Sequence, residues 1–330
     1  MLTATHLARM CRAFSFFLII SVRVLFADPS QANFLLEQGR VDEATSHILE
    51  VLDGHPDDAQ AHQLLCRIYY AQDMADNAIH ECELAVLYAR ANSDNQVWLG
   101  RAYGYKASHA SPFSALSLAI KVRKAFERAV ELDPENINAM SDLGEFYVEA
   151  PSLIGGGLDK AQALAAKMQI HFPAQAHRLL ALIAEKKKEI SVAETEFGNA
   201  VAAGKTSEAY IDLGHFYQRH NEPDKMLEAL QSGVAADQRK GPALVDAASI
   251  LTAAHRSPEL AETLLRSYLA SSAKTDEAPA FKVHVQLGDL LTRRGDSAAA
   301  HQEYVAALAL ASNYAPARKA LQDPSGKAIP

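Results

Sequence analysis

WLGRAYGYKA (98–107), DLGEFYVEAP (142–151), DLGHFYQRHN (212–221) and QLGDLLTRRG (286–295) are four versions of one segment. Each carries Leu-Gly, then an aromatic residue or leucine three residues beyond the glycine. A second pattern alternates with it, in DEATSHILEVLDGHP (42–56), KAFERAVELDP (124–134), AETEFGNAVAAG (193–204) and AAHQEYVAALALA (299–311). There a small residue is followed four on by a bulkier one, and often three further by another small one. Apolar residues three and four apart belong on one face of a helix, and strand-like runs of Val, Ile and Thr are missing. The chain is therefore predicted to be all-helical, with Gly or Ala wherever two helices approach closely. Pro56, Pro134 and Pro173 close units, because proline cannot extend the hydrogen-bond ladder of a helix.

The two segments together resemble the tetratricopeptide repeat, a 34-residue unit of two antiparallel helices, here A and B. Gly144, Tyr147, Ala161, Met168 and Pro173 match its pattern best. The resemblance implies a right-handed α-solenoid of about eight units, near 28–58, 59–92, 93–136, 137–173, 174–206, 207–240, 241–276 and 277–312. A last amphipathic piece, Tyr314–Leu321, is expected to cap it, so the solenoid spans 28–321 and 322–330 is expected to be a disordered tail. Units 2, 3, 4, 6 and 8 are clear and units 1, 5 and 7 are degenerate. In unit 7, Ser249 and Thr252 stand where Gly and an aromatic belong.

Two units exceed the template. Unit 3 has about ten extra residues in and around YKASHASPFS (105–114), and unit 4 has about five near PSLIGGG (151–157). Both fall between helix A and helix B of adjacent units, so they should be neighbours on one edge of the solenoid. This raised platform would present Tyr105, His109 and Phe113 from one insertion, with Tyr103 nearby. Pro151, Leu153, Ile154, Gly155, Gly156 and Gly157 would come from the other. The Ala-Pro then Gly-Gly insertion resembles that of a subset of exported bacterial tetratricopeptide proteins. LGRAYGYKA is similar, more faintly, to the regulator-of-microtubule-dynamics proteins. Neither resemblance implies a substrate.

The start of the chain is different in kind. Arg9 and Arg12 precede the apolar run AFSFFLIISV (13–22), and small Ala27 stands before Asp28-Pro29. This order describes a secretory signal peptide over 1–27, and the run is shorter than the roughly 20 residues of a membrane span. Export to the periplasm or the exterior is expected, with an uncleaved membrane anchor as the alternative. Cleavage would remove three arginines and no acid, deepening a net charge of −8. An acidic chain argues against nucleic acid as a partner.

Three candidate chemistries arise from the residues. Three glycines before a helix suggest a phosphate cradle, but no strand precedes them and Asp159 follows where a Walker loop has Lys. His62, Cys66, His80 and Cys82 are a possible zinc set without the usual spacing. The same residues suit core packing, and in an oxidising compartment Cys66 and Cys82 can instead join helices A and B of one unit. Glu194 with Glu196 and Asp289 with Asp296 follow no catalytic spacing, and Lys186–Lys188 suits the end of a helix. No nucleophile elbow or zincin motif occurs, and no Lys has Asn four residues later as the family's chaperone-binding clamp needs.

These observations lead to a non-catalytic scaffold or adaptor without cofactor or metal, binding a protein or peptide outside the cytoplasm. Helix A geometry nominates a concave groove lined by Gln63, Arg67 and Tyr70, then Val97 and Arg101, then Ser141 and Glu145, and finally Ile211, His215 and Gln218. The alternative is a structural component of the cell envelope that self-associates through the solenoid edges.

Overall fold

The computed structural model describes residues 29–322, which form seventeen α-helices and one short 3-10 turn. The expected signal peptide and nearly all of the expected tail lie outside these residues. The helices pair as α1 (Pro29–Glu37) with α2 (Val41–Gly54), α3 (Ala59–Ala71) with α4 (Ala75–Tyr88), and α5 (Ser93–Ser108) with α6 (Pro112–Leu132). Next come α7 (Ile137–Glu149) with α8 (Leu158–Met168), α9 (Pro173–Lys186) with α10 (Ile190–Gly204), and α11 (Ser207–Arg219) with α12 (Pro223–Ala236). Then α13 (Pro242–Ala253) pairs with α14 (Pro258–Ala270), α15 (Ala280–Arg293) pairs with α16 (Ser297–Leu310), and α17 (Ala315–Gln322) ends the array. The architecture is an α-solenoid of helix-turn-helix units. Gln322 belongs to the last helix rather than to the tail.

The Leu-Gly motif has a steric cause. A methyl group on Gly100 would stand 2.4 Å from the Phe126 ring, on Gly214 2.7 Å from Leu230, and on Gly288 2.5 Å from the Tyr304 ring. Each glycine admits the bulky residue of its own helix B. Gly144 admits Leu179 of the next unit instead, at 2.7 Å. In unit 7 the register is one residue earlier than the sequence reading: Ala248 and Leu251 are the fully buried residues, and Ser249 turns out to bond Gln286.

A second periodicity escaped the sequence reading. His62, His177 and His284 each meet a glutamate nineteen residues on, Glu81, Glu196 and Glu303, at 2.7, 2.6 and 2.7 Å. These bonds tie helix A to helix B in units 2, 5 and 8. In unit 2 the Cys66–Cys82 disulfide adds a covalent tie between the same two helices. His62 also bonds the Pro56 carbonyl, and His80 faces solvent, so the four residues weighed for zinc do not converge.

The solenoid closes on itself. One buried cluster runs from Leu35 and Leu36 of α1 through Phe281 of α15 to Tyr314 before α17, without passing through units 3 to 5. At the seam, the Gly39 turn lies against the start of α15, where a methyl on Gly39 would sit 2.7 Å from the Ala280 nitrogen. The Ser312 N–H donates to Asp42, and Asp73 receives Lys282 at 2.7 Å and the Tyr314 hydroxyl at 3.2 Å. The A helices therefore form the inner wall of a closed turn.

Candidate functional site

The inner wall carries a series of charges from unit to unit. Arg67 on α3 donates to Asn33 on α1 and pairs with Asp276 at 2.8 Å. Arg101 on α5 pairs with Asp142 on α7 at 2.7 Å. Arg178 on α9 bridges Glu145 at 2.6 Å and Asp212 of α11 at 2.8 Å. These residues recur on the same helix face, so the repeat itself positions them. A cavity of about 230 Å³ opens among Arg101, Ser141, Asp142, Glu145, Arg178 and Asp212. A second, of about 380 Å³, lies at the seam between Tyr70 and Trp98 on one side and Asp276, Glu277, Pro279 and Lys282 on the other.

The electrostatics differ along the wall. Burial alone would lower the Arg178 guanidinium, but Asp212 and Glu145 outweigh it and hold it raised. Burial raises Asp212 and Asp142 in spite of their arginines. Asp246 on α13 has no arginine. Burial among the surrounding helices, then Asp212, Glu277 and Glu208, push its carboxyl up to about 6, although its side chain still reaches water. Burial and Arg219 lower His215.

The nominated groove residues divide. Arg67, Tyr70 and Arg101 face the seam, and Ser141 and Glu145 line the neighbouring cavity. Gln63 bonds Asn95 at 2.7 Å. Val97 and Ile211 do not line the groove; they are buried between units, because their helix face meets the next unit rather than the opening. His215 is exposed farther along α11, and Gln218 lines a separate recess with Asn221 and Arg256.

The platform also differs from expectation. The ten extra residues of unit 3 are not a loop: they lengthen α5 and α6 and leave only a turn at 109–111. Tyr105 therefore stays on the helical face of Arg101, one turn on. Its ring meets Tyr70 at 5.8 Å, so it joins the seam, and the His109 ring lies tilted against it at 4.6 Å. Tyr103 is buried and donates to Glu83 on α4. Phe113 stands 90% exposed at the start of α6.

The second insertion begins at Pro151, turns through the 3-10 segment Ser152–Ile154, and leaves Leu153 85% exposed. Gly155 has φ 94° and lies against the Arg123 side chain of α6, beyond the extra residues of unit 3. A methyl on Gly156 would stand 1.8 Å from the Ala150 carbonyl oxygen. The glycine N–H groups are all spent on nearby carbonyls: Gly155 donates to Ser152, Gly156 to Pro151 and Gly157 to Tyr147 of α7. None is left to hold a phosphate.

Sequence reasoning missed Trp98, Asp142, Arg178, Asp212 and Asp246, which fall between the positions it nominated. It also missed the segment Ser271–Pro279. The available signal was length: nine residues separate α14 from α15, against two to five at every other turn from helix B to the next helix A.

The fold and site define a closed helical repeat protein with a polar inner wall. A tetratricopeptide repeat model matches residues 35–102. Among solved structures, the chain is similar to a thermophilic TPR protein of Thermus thermophilus, at 17% identity over 68% of this chain and 100% of that one, TM-score 0.45. It is similar to the type IV pilus biogenesis factor PilW at 14% identity, over 63% of this chain and 92% of that one, TM-score 0.45. YrrB, a TPR protein with an unusual peptide-binding site, shares 14% identity over 58% of this chain and 92% of that one, TM-score 0.37. No curated protein matches the chain.

Proposed function

We propose that the chain is a non-catalytic scaffold that binds a protein or peptide partner on the inner wall of its closed solenoid. The observation that carries this reading is the open cavity over α5, α7, α9 and α11, where Arg101, then Ser141 with Glu145, then Arg178 and then Asp212 are presented by successive units. An extended peptide can take polar contacts from one unit after another and fix its register that way. The Leu-Gly pattern and the tetratricopeptide model over 35–102 support the same reading. So does the lack of any recognised catalytic motif in the sequence.

We place its action outside the cytoplasm. The Cys66–Cys82 disulfide suits an oxidising compartment, and the arginine-flanked apolar run before Ala27 suits export. Self-association through the solenoid edge is a second reading, favoured by the exposure of Phe113 and Leu153.

The test is capture from an envelope extract by the chain from Asp28 onward and by two variants of unchanged helicity. Glu145→Ala/Arg178→Ala alters the inner wall, and Phe113→Ser/Leu153→Ser alters the edge. A partner lost only with the first variant is the expected result. A partner lost only with the second moves the site to the edge, and a mass that rises with concentration except in the second variant favours self-assembly. A partner retained by both removes the inner wall from consideration.

A further inference from the structure

The segment Ser271–Pro279 is a strap across the seam. It leaves α14, lies over the inner face of α3 and α5, and enters α15 at Ala280. It is held from beneath by Tyr268, a fully buried residue whose hydroxyl donates to the Ala278 carbonyl at 2.6 Å and accepts the Thr275 N–H at 3.0 Å. From above, Asp276 takes Arg67 in an ion pair only 15% and 11% exposed, and the field of Glu277 acts on Arg101. Arg67 and Arg101 in turn flank Trp98, with guanidinium carbons 5.4 and 5.0 Å from the ring centre. Tyr70 meets the other edge of that ring at 5.7 Å.

An extended acidic segment thus already sits on the inner wall, and it belongs to the chain itself. We infer that the strap fills, in cis, a seat for an acidic extended segment of a partner protein, which binds Arg67 and Arg101 beside Tyr70 and Trp98 when the strap is displaced. This deepens the scaffold reading and rests on it. The chemistry is set by what strap release leaves behind. Two carboxylates depart; Arg101 keeps its ion pair with Asp142, but Arg67 keeps only the neutral amide of Asn33 as a partner on this wall. A largely buried guanidinium without a counter-charge is costly, so the incoming segment must supply a carboxylate where Asp276 was. Its acidic part must end near Arg101, because Glu208, Asp212 and Asp246 farther round would repel it. Recognition is by side-chain carboxylates within an extended stretch, so a free chain terminus is not required.

The probe is a fluorescent peptide copying Ser271–Ala280, SSAKTDEAPA, titrated against the full chain from Asp28. Against the wild type the strap competes and binding is weak. The variant Asp276→Asn/Glu277→Gln weakens the strap's hold, and affinity for the peptide should rise by about tenfold or more. Adding Arg67→Gln to that variant should abolish the gain, and a peptide with Asn and Gln in place of Asp and Glu should fail to bind. Tyr268→Phe loosens the strap without changing any charge and should also tighten binding, which guards against a strap variant that merely misfolds. Equal affinity for wild type and both loosened variants overturns the inference, as does equal binding of the neutral peptide. If the peptide fails while Glu145→Ala/Arg178→Ala still loses its captured partner, the strap inference falls and the scaffold reading stands. If the peptide binds as expected but that capture result is reversed, the opposite holds.

Discussion

The insertions of units 3 and 4 and the strap at 271–279 are all extra chain on one repeat framework, yet they do opposite things. The insertions join helix A to helix B, on the edge of the solenoid, and they project: Phe113 and Leu153 are nearly bare. The strap joins helix B to the next helix A, crosses the inside and is bonded at both ends. The tips of the A-to-B insertions thus point outward while the B-to-A strap occupies the groove, although Tyr105 of the first insertion still faces the seam. Added length by itself is cheap to accommodate, so it predicts neither outcome.

The largest expected contrast follows from that difference. Tyr268→Ala removes a fully buried ring and the strap's tether, and should cost about 3–5 kcal/mol. Phe113→Ser at the edge should change stability by less than about 0.5 kcal/mol. Urea midpoints of the two variants check the comparison; a comparable loss from both would mean that the edge is packed as the seam is.

Reduction comes next. The Cys66–Cys82 bond closes a loop with a sequence separation of 16 in the unit that presents Arg67 and Tyr70 to the strap. Opening it should lower stability by about 3 kcal/mol, an effect set mainly by the unfolded chain. Denaturation with and without reductant reads this directly, and Cys66→Ser/Cys82→Ser should behave as the reduced chain does. A midpoint unmoved by reductant would show that the bond contributes nothing to the seam side.

On the edge side, Gly156→Ala should cost about 1–3 kcal/mol, since a methyl would meet the Ala150 carbonyl oxygen and the loop must reshape. The damage should stay local. Amide exchange should quicken at Gly155, Gly157 and the start of α8, while amides near Tyr268 and Asp276 keep their protection. Spread of the change to the strap would show that edge and seam are coupled after all.

Much of this fold was legible because it is local and repeated. Gly100, Gly144, Gly214 and Gly288 are fixed by one steric demand, so the sequence shows it four times. The insertions were legible as breaks in that register. Their form was not: YKASHASPFS continues two helices because nothing in it breaks α5 before Ser108 and Pro112 suits the first turn of α6. That is why Tyr105 faces the seam rather than the edge. The closure was illegible for a different reason. Arg67 and Asp276 lie 209 residues apart, and their pairing depends on small rotations summed over every intervening unit. The nominated groove residues divide between wall and interior for the same cause, since Val97 and Ile211 differ from Ser141 only in how far each helix is rotated against the next.

The smallest effect concerns the wall opposite the strap's ion pair. There burial, and then Asp212, Glu277 and Glu208, push the Asp246 carboxyl up to about 6. A raised carboxyl binds its proton more readily folded than unfolded, so this group adds stability as pH falls from 7 toward 4 and loses it again on the way up. Asp246→Asn should therefore raise stability near pH 7, by about 1 kcal/mol or less because water screens the side chain, and should gain nothing at pH 4. Other carboxyls are shifted too. Burial raises Asp142 and Asp212, while hydrogen bonds from Arg219, Lys225 and His284 outweigh burial and lower Glu185, Glu194 and Glu303, respectively. Only the difference between variant and wild type isolates Asp246. Urea midpoints at both pH values supply it: a gap at pH 7 that closes by pH 4 places uncompensated negative charge beside the strap, and Glu277→Gln should narrow that gap. A gap that stays constant with pH would mean that Asp246 acts through packing, and that the strap's Glu277 does not reach it.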